Sequence, residues 1–367
     1  MPLNRDTSLD LARGLAMMAV VLSHVLRGLF AAGLVDPGLA WAGWLDRGLY
    51  LMHSPLFAVV TGLLLAHSVD RDGDAAYLRR RLVLVGWLYL VWALLQGAAE
   101  VLTSPIKNVP VTWGDVFALW RPLGHLWFLP WLALATLVVV LIAPWRPGPF
   151  HAVALVVGSS VSLAAWGWEL DFAVARGWAL IVFFLAGAAL TSRRFTASTT
   201  RLPPWSVALV GLAGLGVWVV AASVPWVTTP TIVDGGRTPA SVALGAGGSL
   251  GALIGVLAVS VVVARQPSLS GWLATLGRLS LQVYLAHILF TAGTRIVLVR
   301  LGIVDVGVHL TVGVAAGVVG PLLLERATRP VPWLFAPPSG WRHVERVWDD
   351  RGPPASGGRP REGRGTP

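Results

Sequence analysis

The sequence predicts an all-α, polytopic transmembrane helical bundle of about ten spans. Three observations carry this expectation. The chain of 367 residues is 55% hydrophobic and only 13% charged, with a mean hydropathy of +0.70, more apolar surface than a soluble fold of its length needs. Apolar runs of ~20 residues recur, separated by charged or Pro/Gly punctuation. Basic clusters fall in alternate connections between those runs, which is how membrane proteins distribute Lys and Arg.

Taken in order, the spans lie near 9–31, 48–67, 82–102, 125–143, 150–167, 177–192, 205–225, 243–264, 279–300 and 307–325. The first follows Asp6 and contains Asp10, Arg13 and His24. Charge before an apolar run, followed by Ala31-Ala32-Gly33, resembles a signal peptide. The acidic residues in its leading segment and the many later spans argue against that. The second span holds His53 and Pro55, and the third is entered through Arg79, Arg80 and Arg81. Gly124–Leu129 opens the fourth. Glu169, Asp171 and Arg176 crowd the junction of the fifth and sixth. Gly247, Gly251 and Gly255 in the eighth span, with Gly313 and Gly317 in the tenth, repeat every four residues, as close helix packing requires. The 19 tryptophans mostly flank spans, where an interfacial belt explains them.

With the N-terminus inside, the cytoplasmic side collects 20 of the 28 Lys and Arg residues. Both termini are therefore expected in the cytoplasm, with the chain in the inner or plasma membrane. Residues 1–340 form the transmembrane domain in this reading. Residues 341–367, rich in Gly, Pro and Arg, form a polar tail expected to be disordered. The formal charge of +10 is explained by the positive-inside distribution, so nucleic acid is not an expected partner. With no cysteine, the chain has no disulfide, thiolate metal site or cysteine nucleophile.

The polar residues inside the spans carry the chemistry. Arg13 and His24 lie 11 positions apart on one helix face, ~16 Å along the axis, so they cannot touch each other. His24 has two readings, a hydrogen bond to a neighbouring helix or a general base acting near neutral pH. Arg13 either snorkels to headgroups or grips a phosphate at the mouth of a pocket ending at His24. Glu100, near the outer end of the third span, is a candidate carboxylate for orienting His24, with plain interfacial solvation as the alternative. Tyr284 and His287 share a face, serving either core hydrogen bonds or substrate. His125 beside Trp127 is placed at the outer mouth as an acceptor contact. His53, close to Pro55, is read as satisfying backbone groups freed by the proline.

Four segments together resemble the integral-membrane acyltransferase-3 family. They are Arg13 and His24 in an arginine-x10-histidine pattern, Met52–Gly62, Gly124–Leu129, and Gly277–His287. The resemblance spans roughly residues 5–325. It implies an acyl-CoA donor, commonly acetyl-CoA, approached from the cytoplasm, and a hydroxyl acceptor on a sugar, glycan or lipid-linked molecule. His24 is then the catalytic histidine, and Arg13 with the basic cluster Arg79, Arg80 and Arg81 binds the donor. The family's usual spacing there is arginine-x-x-arginine, whereas this chain has three consecutive arginines followed by Leu82. The tryptophan-serine-leucine-x-x-glutamate-glutamate segment of glycan O-acetyltransferases is absent, and a fused hydrolase-like domain is not expected. In these respects the chain looks like the compact members acting on small or lipid-linked sugars.

Acyl transfer from a thioester needs a base on the alcohol, charge control on the donor and exclusion of water, with no metal or redox cofactor. The sequence-level expectation is thus a membrane acyltransferase in contact with lipid. Its rival is a proton-coupled secondary transporter or flippase in which His24 relays protons.

Overall fold

A computed structural model describes residues 6–104, 111–149, 151–232 and 236–338. The expected tail at 341–367 lies outside the described residues. Among those described, the chain is helical with no strand.

Helix α1 (Thr7–Ala31) starts at Asp6, whose side chain accepts from the Ser8 amide at 2.9 Å and so satisfies one orphan donor of the first turn. Helix α2 (Ala40–Asp72) returns antiparallel, and α3 (Asp74–Thr103) leaves again after the single residue Gly73. Gly73 sits at φ 78, a conformation open to glycine at no steric cost. A five-residue helix α4 (Trp113–Phe117) follows. The 3-10 turn Gly124–Trp127 then leads into α5 (Phe128–Ile142). The rest are α6 (His151–Ala164), α7 (Ile181–Leu190), α8 (Ser192–Arg201), α9 (Pro204–Ser223), α10 (Pro239–Ala264), α11 (Pro267–Arg278), α12 (Ser280–Arg300) and α13 (Val306–Ala327).

Eight of the described helices are long and apolar enough to cross a membrane, or nine if the bent pair of Trp178–Leu190 and Ser192–Arg201 counts as one span. These eight or nine answer to the about ten expected, and the fifth and sixth spans differ from the rest for physical reasons. Helix α6 has 14 residues. At ~1.5 Å per residue it falls short of a ~30 Å hydrocarbon core. The sixth span breaks at Thr191, where φ reaches 58 and the chain bends by 70°. The run after the break, Ser-Arg-Arg-Phe-Thr-Ala-Ser-Thr-Thr-Arg, is too polar to continue into lipid. It turns aside as α8 instead, with the Thr191 side chain capping it at the Arg194 amide.

Helix α1 occupies the middle, packed against α2, α10, α11, α12 and α13. Backbones approach closely where glycine permits. A Cβ on Gly277 would lie 1.8 Å from the Asp10 carbonyl oxygen, and one on Gly62 2.2 Å from that of Phe184. Two of the eighth span's three flagged glycines behave as expected: Gly251 faces the Gly214 backbone and Gly255 faces Leu215. Gly247 does not, because it looks into open space and Gly248 takes the contact with Ala221. Gly313 and Gly317 pack on Val25 and Val21 of α1.

The tryptophans divide. Trp41, Trp113, Trp205 and Trp272 are exposed, as a belt requires, whereas Trp92, Trp131 and Trp166 are core residues. Trp92 and Trp166 donate their indole N–H to the carbonyls of Leu334 (2.7 Å) and Thr228 (2.8 Å), which makes their burial affordable.

The α1–α11 contact yields a test. Gly277→Ala is expected to lower stability by about 1–3 kcal/mol through overpacking. Gly247→Ala should stay within about 0.5 kcal/mol of the parent, because nothing opposes the added methyl. Thermal unfolding of the detergent-solubilised protein measures both.

Candidate functional site

The polar stripe of α1 faces a cavity. Asp10, Arg13, His24 and Arg27 all line one continuous space of about 2350 Å³. Helix α2 adds Tyr50, His53 and Ser54 at helical spacing. The turn before α5 adds His125 and Trp127, and the start of α12 adds Ser280 and Tyr284. The space runs from an arginine-rich end, where α1 begins and α2 ends, past His24 to the opposite end at Glu169 and Arg176. Polar side chains are tolerated inside a bundle when they line such a space or pair with each other.

At the middle, three imidazoles gather. The His24 ring lies 5.5 Å from that of His125 and 5.1 Å from that of His287, centroid to centroid, and the last two are 4.7 Å apart. His125 and His287 are fixed by backbone. His125 Nε2 donates to the Tyr284 carbonyl at 2.9 Å, and the Tyr284 hydroxyl donates back to the His125 carbonyl at 2.6 Å. His287 Nδ1 donates to the carbonyls of Val283 (3.0 Å) and Tyr284 (2.8 Å). A carbonyl only accepts, so these bonds assign the proton to the named nitrogen of each ring. His287 Nε2 is buried with no partner, and the half-buried His24 ring makes no hydrogen bond among the described residues. His24 is thus held by packing, with its nitrogens turned to open space.

The sequence placed His125 at an outer mouth, and the structure places it beside His24. The cause is local: Gly124 at φ 51 starts a tight 3-10 turn that carries His125 inward against Tyr284. Tyr284 bonds in the core and also lines the cavity. Trp127 lies further along, with the Arg176 guanidinium 5.2 Å from its ring centre and Arg176 paired to Glu169 at 2.7 Å.

At the arginine-rich end, Arg13 donates to the Ser280 hydroxyl at 3.0 Å, and Arg278 faces Asp10 at 3.9 Å. Arg80 and Arg81 line the cavity, with Arg80 paired to Asp72. Arg79 does not belong with them. It is exposed and absent from the lining, because consecutive residues on a helix point about 100° apart and three in a row cannot share one face. Glu100 lines a smaller cavity of about 180 Å³ that His24 also borders, together with Arg295, whose guanidinium feels the Glu100 charge.

Several site residues escaped the sequence reading. Arg27, given no role from the sequence, forms a two-pronged pair with Asp46 at 2.9 and 2.7 Å and lies 4.3 Å from the Tyr50 ring centre. Its spacing of three from His24 was the available signal. His53 does not merely serve the backbone near Pro55, since its ring meets Ser54 at 2.8 Å and faces the cavity. Among the described residues no group of three His, Asp or Glu is arranged to hold a metal ion.

Comparison with known proteins identifies what this arrangement resembles. The family described as an acyltransferase domain matches residues 6–326. The chain is also 25% identical over 142 residues to the nodulation protein NolL of Mesorhizobium japonicum, a stretch covering 37% of this chain and 35% of that protein. It therefore spans about a third of that relative's length. No solved structure matches the chain.

The Arg27–Asp46 pair gives the expected outcome for this region. Asp46→Asn removes the carboxylate from the part-buried Arg27 guanidinium and should cost about 1–3 kcal/mol. The double variant Arg27→Met/Asp46→Leu should recover most of that, so unfolding of the three proteins in detergent reads the pair as a cycle.

Proposed function

The chain belongs to the acyltransferase family that it matches across residues 6–326, and on that premise we propose that its cavity brings an acyl-CoA thioester and a hydroxyl acceptor together at His24. A multi-pass membrane acyltransferase takes the place of the transporter or flippase reading. The observation that carries the proposal is one space continuous from the arginine-rich end, past the unbonded His24 ring, to the opposite end.

The arginine-rich end is the donor entrance, facing the cytoplasm. Arg13, Arg80 and Arg81 are its phosphate contacts, since guanidinium groups fixed at a cavity mouth suit a phosphorylated carrier. Arg79 has no part in it. The pantetheine arm reaches inward and sets the thioester at the histidine cluster. The acceptor hydroxyl, borne by a sugar, glycan or lipid-linked molecule, enters from the other end past Trp127.

The reaction then balances within these residues. His24 takes the hydroxyl proton as the oxygen attacks the thioester carbonyl. The tetrahedral intermediate collapses with cleavage of the carbon–sulfur bond. The departing thiolate takes the proton back from the imidazolium, leaving ester, free CoA thiol and neutral histidine. His125 and Tyr284 position the cluster, His287 packs behind His24, and the surrounding helices exclude bulk water. Glu100 borders the small cavity that His24 also lines and is the carboxylate proposed for the back of the ring.

Membranes containing the protein, incubated with radiolabelled acetyl-CoA, test this directly. His24→Ala should lower label transfer to envelope material by about 10²–10⁴-fold, the usual contribution of a positioned base. Arg81→Ala should raise the KM for acetyl-CoA about tenfold, the loss of one charge-assisted contact, with Arg79→Ala near the parent value. Full activity in His24→Ala would remove the proposal.

A further inference from the structure

Resting on the acyltransfer reading, we propose that Arg295 is a positioning residue for His24. It clasps the last turn of α1 through the Gly28 carbonyl and so holds the imidazole at its place along the cavity. Arg295 does not line the large cavity and stands apart from the donor end.

Helix α12 carries a polar stripe of its own. Ser280, Tyr284, His287, Thr291 and Arg295 recur at spacings of three and four, which places them on one face. That face meets α1. Arg13 donates to the Ser280 hydroxyl at 3.0 Å, the His287 ring lies 5.1 Å from that of His24, and Arg295 Nη1 donates to the Gly28 carbonyl. The first and last of these contacts each join residues 267 positions apart. The two helices therefore run parallel and advance equally between the contacts, over ~22 Å. An arginine closes the pairing at each end, one donated by α1 and the other by α12. His24 and His287 meet in between.

The far clasp answers a physical need of α1. The last carbonyls of a helix carry partial negative charge, and α1 has no basic residue in its last turn. Arg295 supplies that cation from the neighbouring helix. An arginine near the end of a span can instead reach out to headgroups. Arg300, which ends α12, is exposed in that way, whereas Arg295 is half-buried and turned to α1. Glycine at position 28 makes room for it, since a Cβ there would lie 3.0 Å from Arg295 Nη1.

The clasp bears on His24 through the backbone. Gly28 lies one turn beyond His24 on an unbroken helix, so displacing that turn displaces the ring. No hydrogen bond of the ring's own, among the described residues, corrects such a shift. Behind the ring, Arg295 shares the small cavity of about 180 Å³ with His24, Thr291 and Glu100, and its guanidinium feels the Glu100 carboxylate. One side chain thus relates α1, α12 and the end of α3. A catalytic group misplaced by ~1 Å costs about 10²-fold in rate. The donor contacts lie at the opposite end of the α1–α12 pairing, beside Ser280, and are not disturbed by a change at Gly28.

The test separates rate from donor binding. Membranes containing the protein are given radiolabelled acetyl-CoA over a range of concentrations, and label transfer to envelope material is normalised to folded protein. Arg295→Met should lower the maximal rate about 10–100-fold, with the KM for acetyl-CoA unchanged. Arg295→Lys, which keeps a cationic donor, should recover most of that loss. Gly28→Ala disturbs the same contact from the other side and should lower the rate severalfold. In the Arg295→Met background it should have no further effect, because the contact it disturbs is already gone. A parental rate per folded protein in Arg295→Met, with only a lower unfolding temperature, would mark a structural brace and overturn the proposal. Additive losses in the double variant, or a parallel rise in KM, would overturn it as well. Acyl transfer would stand in each of these cases. No label transfer by the parent protein would overturn both readings together.

Discussion

Polar groups inside a bilayer must find partners within the protein or face water that the protein encloses, and α1 concentrates that demand in one stripe. Asp10, Arg13, His24 and Arg27 recur along a helix that is otherwise apolar. Each draws a neighbour toward it. Arg278 and Ser280 come to the beginning of the stripe, His125 and His287 to the middle, and Asp46 to the far end. The central place of α1 follows from this requirement, as does the cavity along its polar face.

Glycine makes the arrangement possible at the arginine-rich end. The approach of Gly277 to the Asp10 backbone sets α11 against α1, and the next helix then starts at Ser280 beside Arg13. Seven residues on, two helical turns, His287 arrives at the level of His24. One small-residue contact therefore registers two helices along their common length. Elsewhere the bundle departs from simple up-and-down spans. Helix α8 turns aside at Thr191, and residues 227–232 after α9 are buried, each bringing polar residues to the cavity that a full-length apolar span could not carry.

Chemically, the two ends of the cavity differ in how their charge is spent. Arginines predominate at one end, where Arg80, Arg81, Arg193 and Arg194 border the opening. At the other, arginines are matched one to one by carboxylates in Arg27–Asp46 and Arg176–Glu169. An asymmetry of this kind is what the proposed phosphate-bearing donor would call for. His24 stands between the two environments.

The all-α class, most span positions and the Arg13–His24 stripe were legible in the sequence, because hydropathy and helical period are local properties that burial in lipid enforces residue by residue. The histidine residues on other segments were visible as candidates, but their meeting around His24 was not. That depends on how helices register against one another, which glycine contacts decide at long sequence separation. Arg79 could not be told from Arg80 and Arg81 by composition, since only the orientation of α3 separates the exposed one from the two in the cavity. Nor could sequence show that Thr231 is buried, because a threonine in a linker looks solvated until the fold encloses it. Local chemistry settled what each helix is made of, and packing alone determined which polar atoms would be left facing the same space.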